Sequence, residues 1–338
     1  MTKLKLGVLD QSAPGPNDRA GEALRNTVAL ARVADRLGYT RFWVSEHHHA
    51  PGLEGSSPEV LVAALGANTS RIRIGSGGVL LPHYSPYKVA ENFRVLEGLY
   101  PGRIDLGIGR SPGGMPLVSK ALQCGEAGRK EARMEDMLAE LAAYLELGDP
   151  LPSGHPLSGL RAMPRVETAP EIWLLGSSGY SAALASRLGA GFAFAHFING
   201  TGGQGAVRDY RRHYRAGPLG GRPKATVCVF VLCADTDALA EREAAAMDLR
   251  LLRQEKGEYG PLHPTPEEAL AYRYGEREKR RILDNRKRMI VGGPDKVRRQ
   301  MLAFADSYRT EEILVTCIMS DFRLKVRCYE LLAELFLG

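Results

Sequence analysis

Residues 41–49 read Arg-Phe-Trp-Val-Ser-Glu-His-His-His, and this stretch decides the fold. Its first four residues are typical of a short buried strand, and five polar residues follow without a break. A charged, imidazole-rich cluster is costly to bury in a core, but it is readily placed at the open mouth of a barrel. Catalytic residues of parallel α/β barrels lie at such carboxyl ends of strands. We therefore expect a strand over 41–44 that ends at a functional site.

Eight short apolar segments alternate with helical patterns along the chain. Strands that are buried on both faces of a parallel sheet have this near-continuous apolar character. The predicted strands cover residues 5–9, 41–44, 71–81, 103–110, 171–175, 191–197, 225–233 and 311–318. Eight βα units in 338 residues predict an α/β fold, namely a (β/α)8 TIM barrel that forms one domain over residues 1–338. The alternative is an open doubly wound sheet, which is disfavoured because no GxGxxG motif follows the first strand.

The connections between the predicted strands differ in length. Residues 128–147 have the pattern of a long helix, and the residues 148–170, rich in Pro and Gly, indicate an excursion or a small hairpin. Residues 254–290 form an insertion before strand eight that contains a highly charged helix over 267–288. The following residues 290–294 are expected to form a turn. An insertion this long in a compact barrel is typical of a lid or a dimer contact.

Charge and composition disfavour several classes of partner. The formal net charge is +6, and the basic residues are dispersed or mixed with acidic ones, which argues against a nucleic-acid partner. No apolar run approaches the roughly 20 residues of a membrane span, and the amino terminus lacks the shape of a signal peptide. The five cysteines are scattered and never form a CxxC pair, which favours a reduced, cytoplasmic protein.

The histidine cluster is the first of four candidate binding features. Three adjacent histidines on a turn point in different directions, so a metal site is disfavoured. A structural cluster and a histidine placed against an organic cofactor or substrate are the alternatives, and the second is favoured. In the next strand, Gly77 and Gly78 weaken the sheet. Their presence is explained if a flat ligand must approach the backbone or if the peptide geometry is unusual; the alternative is a β-bulge.

Two further strand ends carry groups suited to a phosphate. Arg110 ends a glycine-containing strand, and its guanidinium matches phosphate geometry, although a surface ion pair is the alternative. Residues 176–181 read Gly-Ser-Ser-Gly-Tyr-Ser before a helix. There, backbone amides and hydroxyls form a phosphate nest, with an ordinary N-cap as the alternative. Together with the glycines and the histidine, these groups describe a site for a flat, phosphorylated cofactor, and FMN fits this description.

The same residues resemble the bacterial luciferase-like flavin monooxygenases. The resemblance covers nearly the whole chain and is closest to the branch with LPHYSP and PGRIDLG motifs. The matching stretches are WVSEHH (43–48), GSGGVLLP (75–82), PGRIDLGIGR (101–110), GSSGYS (176–181) and EEILVT (311–316). The family implies a (β/α)8 barrel that uses dioxygen and reduced FMN, the latter supplied by a separate flavin reductase. It also implies a C4a-hydroperoxyflavin that oxygenates a small organic substrate.

The resemblance also implies roles for particular residues. His47 would be the catalytic histidine beside the flavin, and Arg110 would bind the phosphate. Gly77 and Gly78 match the strand in which the family often has a non-proline cis peptide beneath the flavin ring. The phosphate loop would consist of Gly176, Ser177, Ser178, Gly179 and Tyr180. Family members also tend to be homodimers, so a homodimer is expected.

The sequence departs from the luciferases themselves at two places. Gly109 stands where the luciferase α chain has a reactive cysteine, and residues 176–180 replace a glutamate-containing phosphate loop. The resemblance therefore implies an ordinary monooxygenase rather than a light-emitting one. An oxidoreductase that transfers hydride with the deazaflavin F420 is an alternative, and so is a non-catalytic flavin-binding protein. No motif specifies the organic substrate.

Overall fold

The computed structural model describes residues 4–110, 116–123, 133–258, 260 and 262–338. Its strands all pair in parallel, as expected of βα units. They are β1 (Lys5–Asp10), β2 (Arg41–Val44), β3 (Arg73–Leu80), β4 (Ile104–Gly109), β5 (Glu171–Gly176), β6 (Gly191–Ala195), β7 (Ala225–Cys233), β8 (Met289–Gly292) and β9 (Glu312–Thr316).

Helices follow the strands and cover the outside of the sheet. They are α1 (Glu22–Leu37), α2 (Pro58–Asn68), α3 (Pro86–Leu99), α4 (Pro116–Leu122), α5 (Met134–Tyr144), α6 (Gly179–Leu188), α7 (Gly203–His213), α8 (Asp237–Glu255), α9 (Pro266–Ala271), α10 (Glu276–Arg286), α11 (Pro294–Tyr308) and α12 (Phe322–Phe336). Within the described ranges, no helix is both long and apolar enough to span a bilayer.

The sheet closes on itself, which confirms the predicted (β/α)8 barrel. Strands β1 to β7 are neighbours in chain order. Strand β9 lies between β7 and β1 and completes a ring of eight strands. The ring contains the strand predicted over 41–44, whose four residues are all buried. Because every strand runs in the same direction, the ends of all eight meet at one mouth.

The predicted turn at 290–294 is wrong. Residues Met289–Gly292 form β8, which pairs with the carboxyl end of β7 and lies outside the ring. The sequence Met-Ile-Val-Gly is a four-residue apolar run, and such a short run is ambiguous between a strand and the approach to a turn. The next helix, α11, begins at Pro294, the last residue of the predicted turn.

Three predicted connections differ from the structure or can be compared with it only in part. The single charged helix over 267–288 is two helices, α9 and α10, because the chain turns at 272–275 and Gly275 caps α10 through a bond from its N–H to Glu278 at 2.7 Å. Residues 148–170 are an excursion without a strand. The helix predicted over 128–147 is observed as Met134–Tyr144, and its first residues lie outside the described ranges.

Charged and aromatic side chains close the barrel below its mouth. Arg41 Nη1 donates to Asp105 Oδ2 at 2.6 Å, and the indole N–H of Trp43 donates to the same oxygen at 2.8 Å. The Arg41 guanidinium also lies 4.7 Å from the ring centroid of Trp173. Both indoles are fully buried and meet edge to face. This layer forms a rigid floor beneath the open end of the barrel.

Candidate active site

A cavity of about 700 Å³ occupies the barrel mouth, at the carboxyl ends of the strands. Its apolar bottom consists of barrel-interior side chains from β1, β2, β7 and β9, namely Leu9, Trp43, Cys228 and Leu314. Its polar groups come from the segments that follow the strands. All four features singled out in the sequence contribute to its lining: the loop after β2, the glycines of β3, Arg110 after β4, and the loop after β5.

His47 lines the cavity directly after β2. Its Nδ1 lies 3.1 Å from the hydroxyl oxygen of Ser45, and its backbone N–H donates to Gly55 at 2.8 Å. Burial lowers the pKa of this imidazole to about 4, with smaller contributions from His48 and Arg250. His47 is therefore neutral at pH 7, the form in which a histidine accepts a proton.

The neighbouring histidines do not converge on His47. His48 Nε2 lies 2.6 Å from Glu46 Oε1, and the same carboxylate oxygen accepts a bond from the Tyr84 hydroxyl at 2.6 Å. His49 is exposed and outside the cavity. The described residues contain no group of three or more His, Cys, Asp or Glu placed to hold a metal ion.

The Glu46 carboxylate connects the histidine loop to the end of β3. Its Oε2 accepts a bond from the backbone N–H of Leu80 at 2.9 Å. Because Glu46 is almost fully buried, these bonds fix the relative position of β2 and β3 at the cavity rim. The sequence placed Glu46 in the cluster, but nothing in it indicated this contact across strands.

The two glycines of β3 form one wall of the cavity. The Gly77–Gly78 peptide bond is cis, as the resemblance implied, and the register with β4 shifts between Ser76 and Val79. A Cβ atom at Gly78 would lie 2.6 Å from the carbonyl oxygen of Gly107, and one at Gly77 would overlap the Leu9 side chain. Gly78 therefore has no room for a side chain, whereas one at Gly77 would require Leu9 to move, and the wall presents bare backbone.

Arg110 and the loop after β5 form the outer, polar end of the cavity. Gly176, Ser177 and Ser178 line it together with Arg110. Ser178 is the N-cap residue of α6 and its side chain makes no capping bond, so the first amides of this helix remain available for an anion. Among the described residues Arg110 forms no ion pair.

Two residues of the predicted phosphate loop do not line the cavity. Gly179 starts α6, and Tyr180 is partly exposed with its ring 4.3 Å from the Arg110 guanidinium carbon. Tyr180 therefore supports the arginine from outside by a cation–π contact. Ser181, one residue further, does line the cavity.

Sequence reasoning missed the apolar rim contributed by β6 and the segment after it. Phe194, Phe197 and Ile198 line the cavity, and Ile198 is more than half exposed. Their proximity to the site was predictable, since they lie at or near the carboxyl end of the strand predicted over 191–197. Their side-chain directions depend on the closure of the ring, which the sequence pattern alone does not specify.

The fold and the cavity define a class of protein: a (β/α)8 barrel whose mouth combines a neutral histidine, a bare glycine wall and an arginine beside a helix amino terminus. The model of the family described as luciferase-like monooxygenase matches residues 4–311. The chain therefore belongs to the luciferase-like monooxygenases, which are oxidoreductases.

Relatives align over essentially the full chain. YwcH of Bacillus subtilis (strain 168), described as an uncharacterized protein, is 53% identical over 337 residues, which cover 98% of this chain and 99% of YwcH. N-acetyl-S-alkylcysteine monooxygenase of the same organism is 36% identical over 336 residues, and the match covers 99% of each protein.

Solved structures show the same architecture. Apo-MsnO8 superimposes with a TM-score of 0.88 at 40% identity, covering 99% of this chain and 98% of that one. The FMN complex of the oxygenating constituent of 3,6-diketocamphane monooxygenase from Pseudomonas putida gives 0.72 at 20% identity, covering 99% and 98%. The coenzyme F420 dependent tetrahydromethanopterin reductase of Methanopyrus kandleri gives 0.70 at 13% identity, covering 99% of both chains. The last two likenesses concern the fold alone.

Proposed function

We propose that this protein is an FMN-dependent monooxygenase that uses reduced FMN and dioxygen to oxygenate a small organic substrate. One observation carries the proposal: a single cavity brings together His47, the Gly77–Gly78 backbone and Arg110. Membership of the luciferase-like monooxygenases supports the same conclusion. When bound, reduced FMN supplies the electrons that activate dioxygen.

The chain's own residues fit a flavin of this kind. Gly77 and Gly78 carry no side chains where they line the cavity, so this wall suits a flat ring. Arg110, Ser177, Ser178 and the amino terminus of α6 offer charge, hydroxyls and amides for a phosphate. Gly176, Gly179 and Tyr180 shape this phosphate end. The volume of about 700 Å³ is large enough for a cofactor of this size.

His47 is the proposed catalytic residue. It is neutral and lines the cavity, so it accepts or returns a proton as the oxygen chemistry proceeds. Ser45, within hydrogen-bond distance of Nδ1, fixes the orientation of the ring. The polar cluster after β2 therefore serves a cofactor and not a metal in this proposal.

The apolar rim suits an organic substrate. Phe194, Phe197 and Ile198 line the cavity, and an apolar substrate would pack against them beside the flavin. The relative named N-acetyl-S-alkylcysteine monooxygenase makes a thioether of this class the first substrate to examine.

The remaining parts of the proposal concern partners and location. A separate flavin reductase would deliver the reduced cofactor in the cytoplasm, and the single domain would form a homodimer. Val60 on α2 and Val95 and Leu99 on α3 are exposed apolar side chains that a second copy could cover. Residues 254–290 are proposed as a lid or a dimer contact.

An isotope experiment tests the proposed reaction. The protein is supplied with an N-acetyl-S-alkylcysteine, a flavin reductase, NADH and FMN under dioxygen labelled with the heavy isotope. One labelled oxygen atom is expected in the organic product, and the second is expected in water. Product without label contradicts a monooxygenase. Hydride transfer from reduced F420 would instead favour the F420 alternative, and FMN binding without product from any thioether would favour the non-catalytic one.

A further inference from the structure

A buried arginine without an acidic partner lies close to the histidine loop. Arg250 is in the second half of α8 and is only 5% exposed. Among the described residues it forms no ion pair, and its hydrogen bond runs from Nη2 to the carbonyl oxygen of Gly52 at 2.9 Å. A buried guanidinium is unfavourable unless it is paired, and the flanking positions are buried leucines, Leu249 and Leu251. Packing of α8 therefore does not explain the charge.

Gly52 is at the tip of the loop that begins with His47. The loop is closed at its base by the bond from the His47 N–H to the Gly55 carbonyl at 2.8 Å. Its tip is held from outside by Arg250, and the φ angle of Gly52 is +82°. A Cβ atom at Gly52 would lie 3.2 Å from both Arg250 Nη1 and the carbonyl oxygen of Gly260. The tip is thus enclosed between α8 and the insertion.

The insertion covers this contact from the other side. His263 is fully buried, its backbone N–H donates to Pro14 at 3.3 Å, and neither ring nitrogen has a partner among the described residues. Burial and the charge of Arg250 together keep the imidazole neutral, with a pKa of about 3. The guanidinium is therefore buried between the loop tip and the insertion, and a small cavity beside it is also lined by Arg253 and Glu258.

We propose that Arg250 is a positioning residue for His47: it fixes the tip of the 47–55 loop through its bond to Gly52, and its positive charge acts on the imidazole at the base of that loop. This inference rests on the proposed function, because it assumes that His47 exchanges a proton. The guanidinium acts through the loop and through its field, and it does not line the cavity.

The electrostatic part of the proposal follows from the groups that face His47. In addition to burial, His48 on the same loop and Arg250 on α8 both disfavour its protonation. From the insertion, His263 faces Arg250 and is neutral. Both Glu46 oxygens are occupied by bonds to Leu80, Tyr84 and His48. Removing the charge at position 250 must therefore move the titration of His47 toward its ordinary range.

The test is a titration of His47 by NMR in cofactor-free protein with labelled histidine, with His47→Gln to assign the signal. In Arg250→Met, the pKa of His47 should rise toward its ordinary value of 6.5. Arg250→Lys should keep it low, because the charge is retained. Arg242→Met is the matched control: Arg242 is about two turns earlier on α8 and pairs with Glu267 on the surface, so no change is expected.

Two further variants keep the test decisive if Arg250→Met does not fold. Arg250→Gln removes the charge and is two atoms shorter than arginine, so the pKa of His47 should rise and the His47 amide should exchange faster. Arg250→Lys keeps the charge and a donor for Gly52, so the pKa should stay low and that amide should still exchange slowly. A His47 pKa equal to wild type in both uncharged variants would overturn the proposal. Because the titration needs neither flavin nor substrate, failure of the proposed function would leave this result unaffected.

Discussion

The imidazole of His47 combines burial with access to a cavity, and this combination sets its chemistry. Burial holds its pKa at about 4, well below the ordinary value of 6.5. Above pH 5 the ring is almost entirely neutral, so activity that depends on it should stay level from pH 7 down to that point. Turnover per bound substrate should then fall as the ring is protonated near pH 4.

Replacement of His47 by Ala is expected to lower turnover by about 100- to 10,000-fold, the usual contribution of a general acid or base. FMN affinity should change little, because the proposed phosphate contacts lie at the other end of the cavity. Steady-state oxygenation and FMN titration measure the two effects. His49→Ala is the matched control, since His49 is exposed and outside the cavity. Unchanged turnover in His47→Ala would refute the catalytic role.

Arg110→Ala is expected to weaken FMN binding by about 10- to 100-fold, the value of a charge-assisted hydrogen bond or two. Riboflavin has no phosphate, so its affinity should be almost unchanged. Fluorescence titrations with both flavins give the comparison. Arg298→Ala on the exposed side of α11 controls for the loss of a surface charge. An equal loss for FMN and riboflavin would show that Arg110 does not bind the phosphate.

The residues of the site were partly predictable because each follows a strand of recognisable pattern. His47, Gly77, Gly78, Arg110 and the loop after β5 all lie where polar or glycine-rich sequence ends an apolar run. The partners of these residues were not predictable. Arg250 is far from His47 in sequence and lies on a helix outside the ring, and Tyr180 contacts Arg110 rather than the cavity. Such contacts depend on how the connections fold back over the mouth.

The strand β3 departs from regular pairing where it lines the cavity. Glycines at its carboxyl end reduce β propensity, and the register shift between Ser76 and Val79 interrupts the ladder. The neighbouring strand β4 packs closely against this part of β3, and Gly107 lies opposite Gly78. Regular pairing is therefore lost in β3 where its bare backbone lines the cavity.

Gly78→Ala should destabilise the protein by about 1 to 3 kcal/mol, because the new methyl group would press on the Gly107 carbonyl in a packed sheet. FMN binding should weaken at the same time, since the wall must move. Urea unfolding and FMN titration measure both quantities. Gly221→Ala places a methyl group in open space and serves as the control. A variant with wild-type stability and affinity would contradict the close packing described for this wall.

Long apolar strands and amphipathic helices were predictable as elements, whereas short or strongly charged segments were not. The pattern over 225–233 corresponds directly to β7, and the short strand β2 was recognisable because an unbroken run of polar residues follows it. In contrast, β8 was mistaken for a turn because four apolar residues carry little periodicity. The charged stretch over 267–288 suggested one helix, but the chain breaks at Gly275, where Glu278 offers a capping bond.

The whole barrel should lose stability in acid through its buried histidines. His47 and His263 have pKa values of about 4 and 3 in the folded protein and about 6.5 when unfolded. Between pH 6.5 and 4 the unfolded state therefore binds more protons, and each histidine lowers the free energy of unfolding by up to about 1.4 kcal/mol per pH unit as the pH falls. Asp248, whose pKa burial raises to about 6, acts in the opposite direction.

Comparison with His263→Leu isolates one histidine from the other titrating groups. The variant should lose less stability than wild type between pH 6.5 and 4, since a leucine side chain carries no proton in either state. Chemical denaturation at several pH values measures the difference in slope. Identical slopes would mean that His263 is not buried as described, because Asp248 and His47 are common to both proteins.

The most direct test of the account is an anaerobic titration with reduced FMN followed by rapid mixing with oxygenated buffer under an absorbance monitor. We predict saturable binding of one reduced FMN per chain. Mixing should then give an absorbing species distinct from both reduced and oxidised flavin, with a lifetime much longer than that of free FMN in the same buffer. Failure to bind reduced FMN, or oxidation of the bound flavin without any such species, would contradict the proposed monooxygenase.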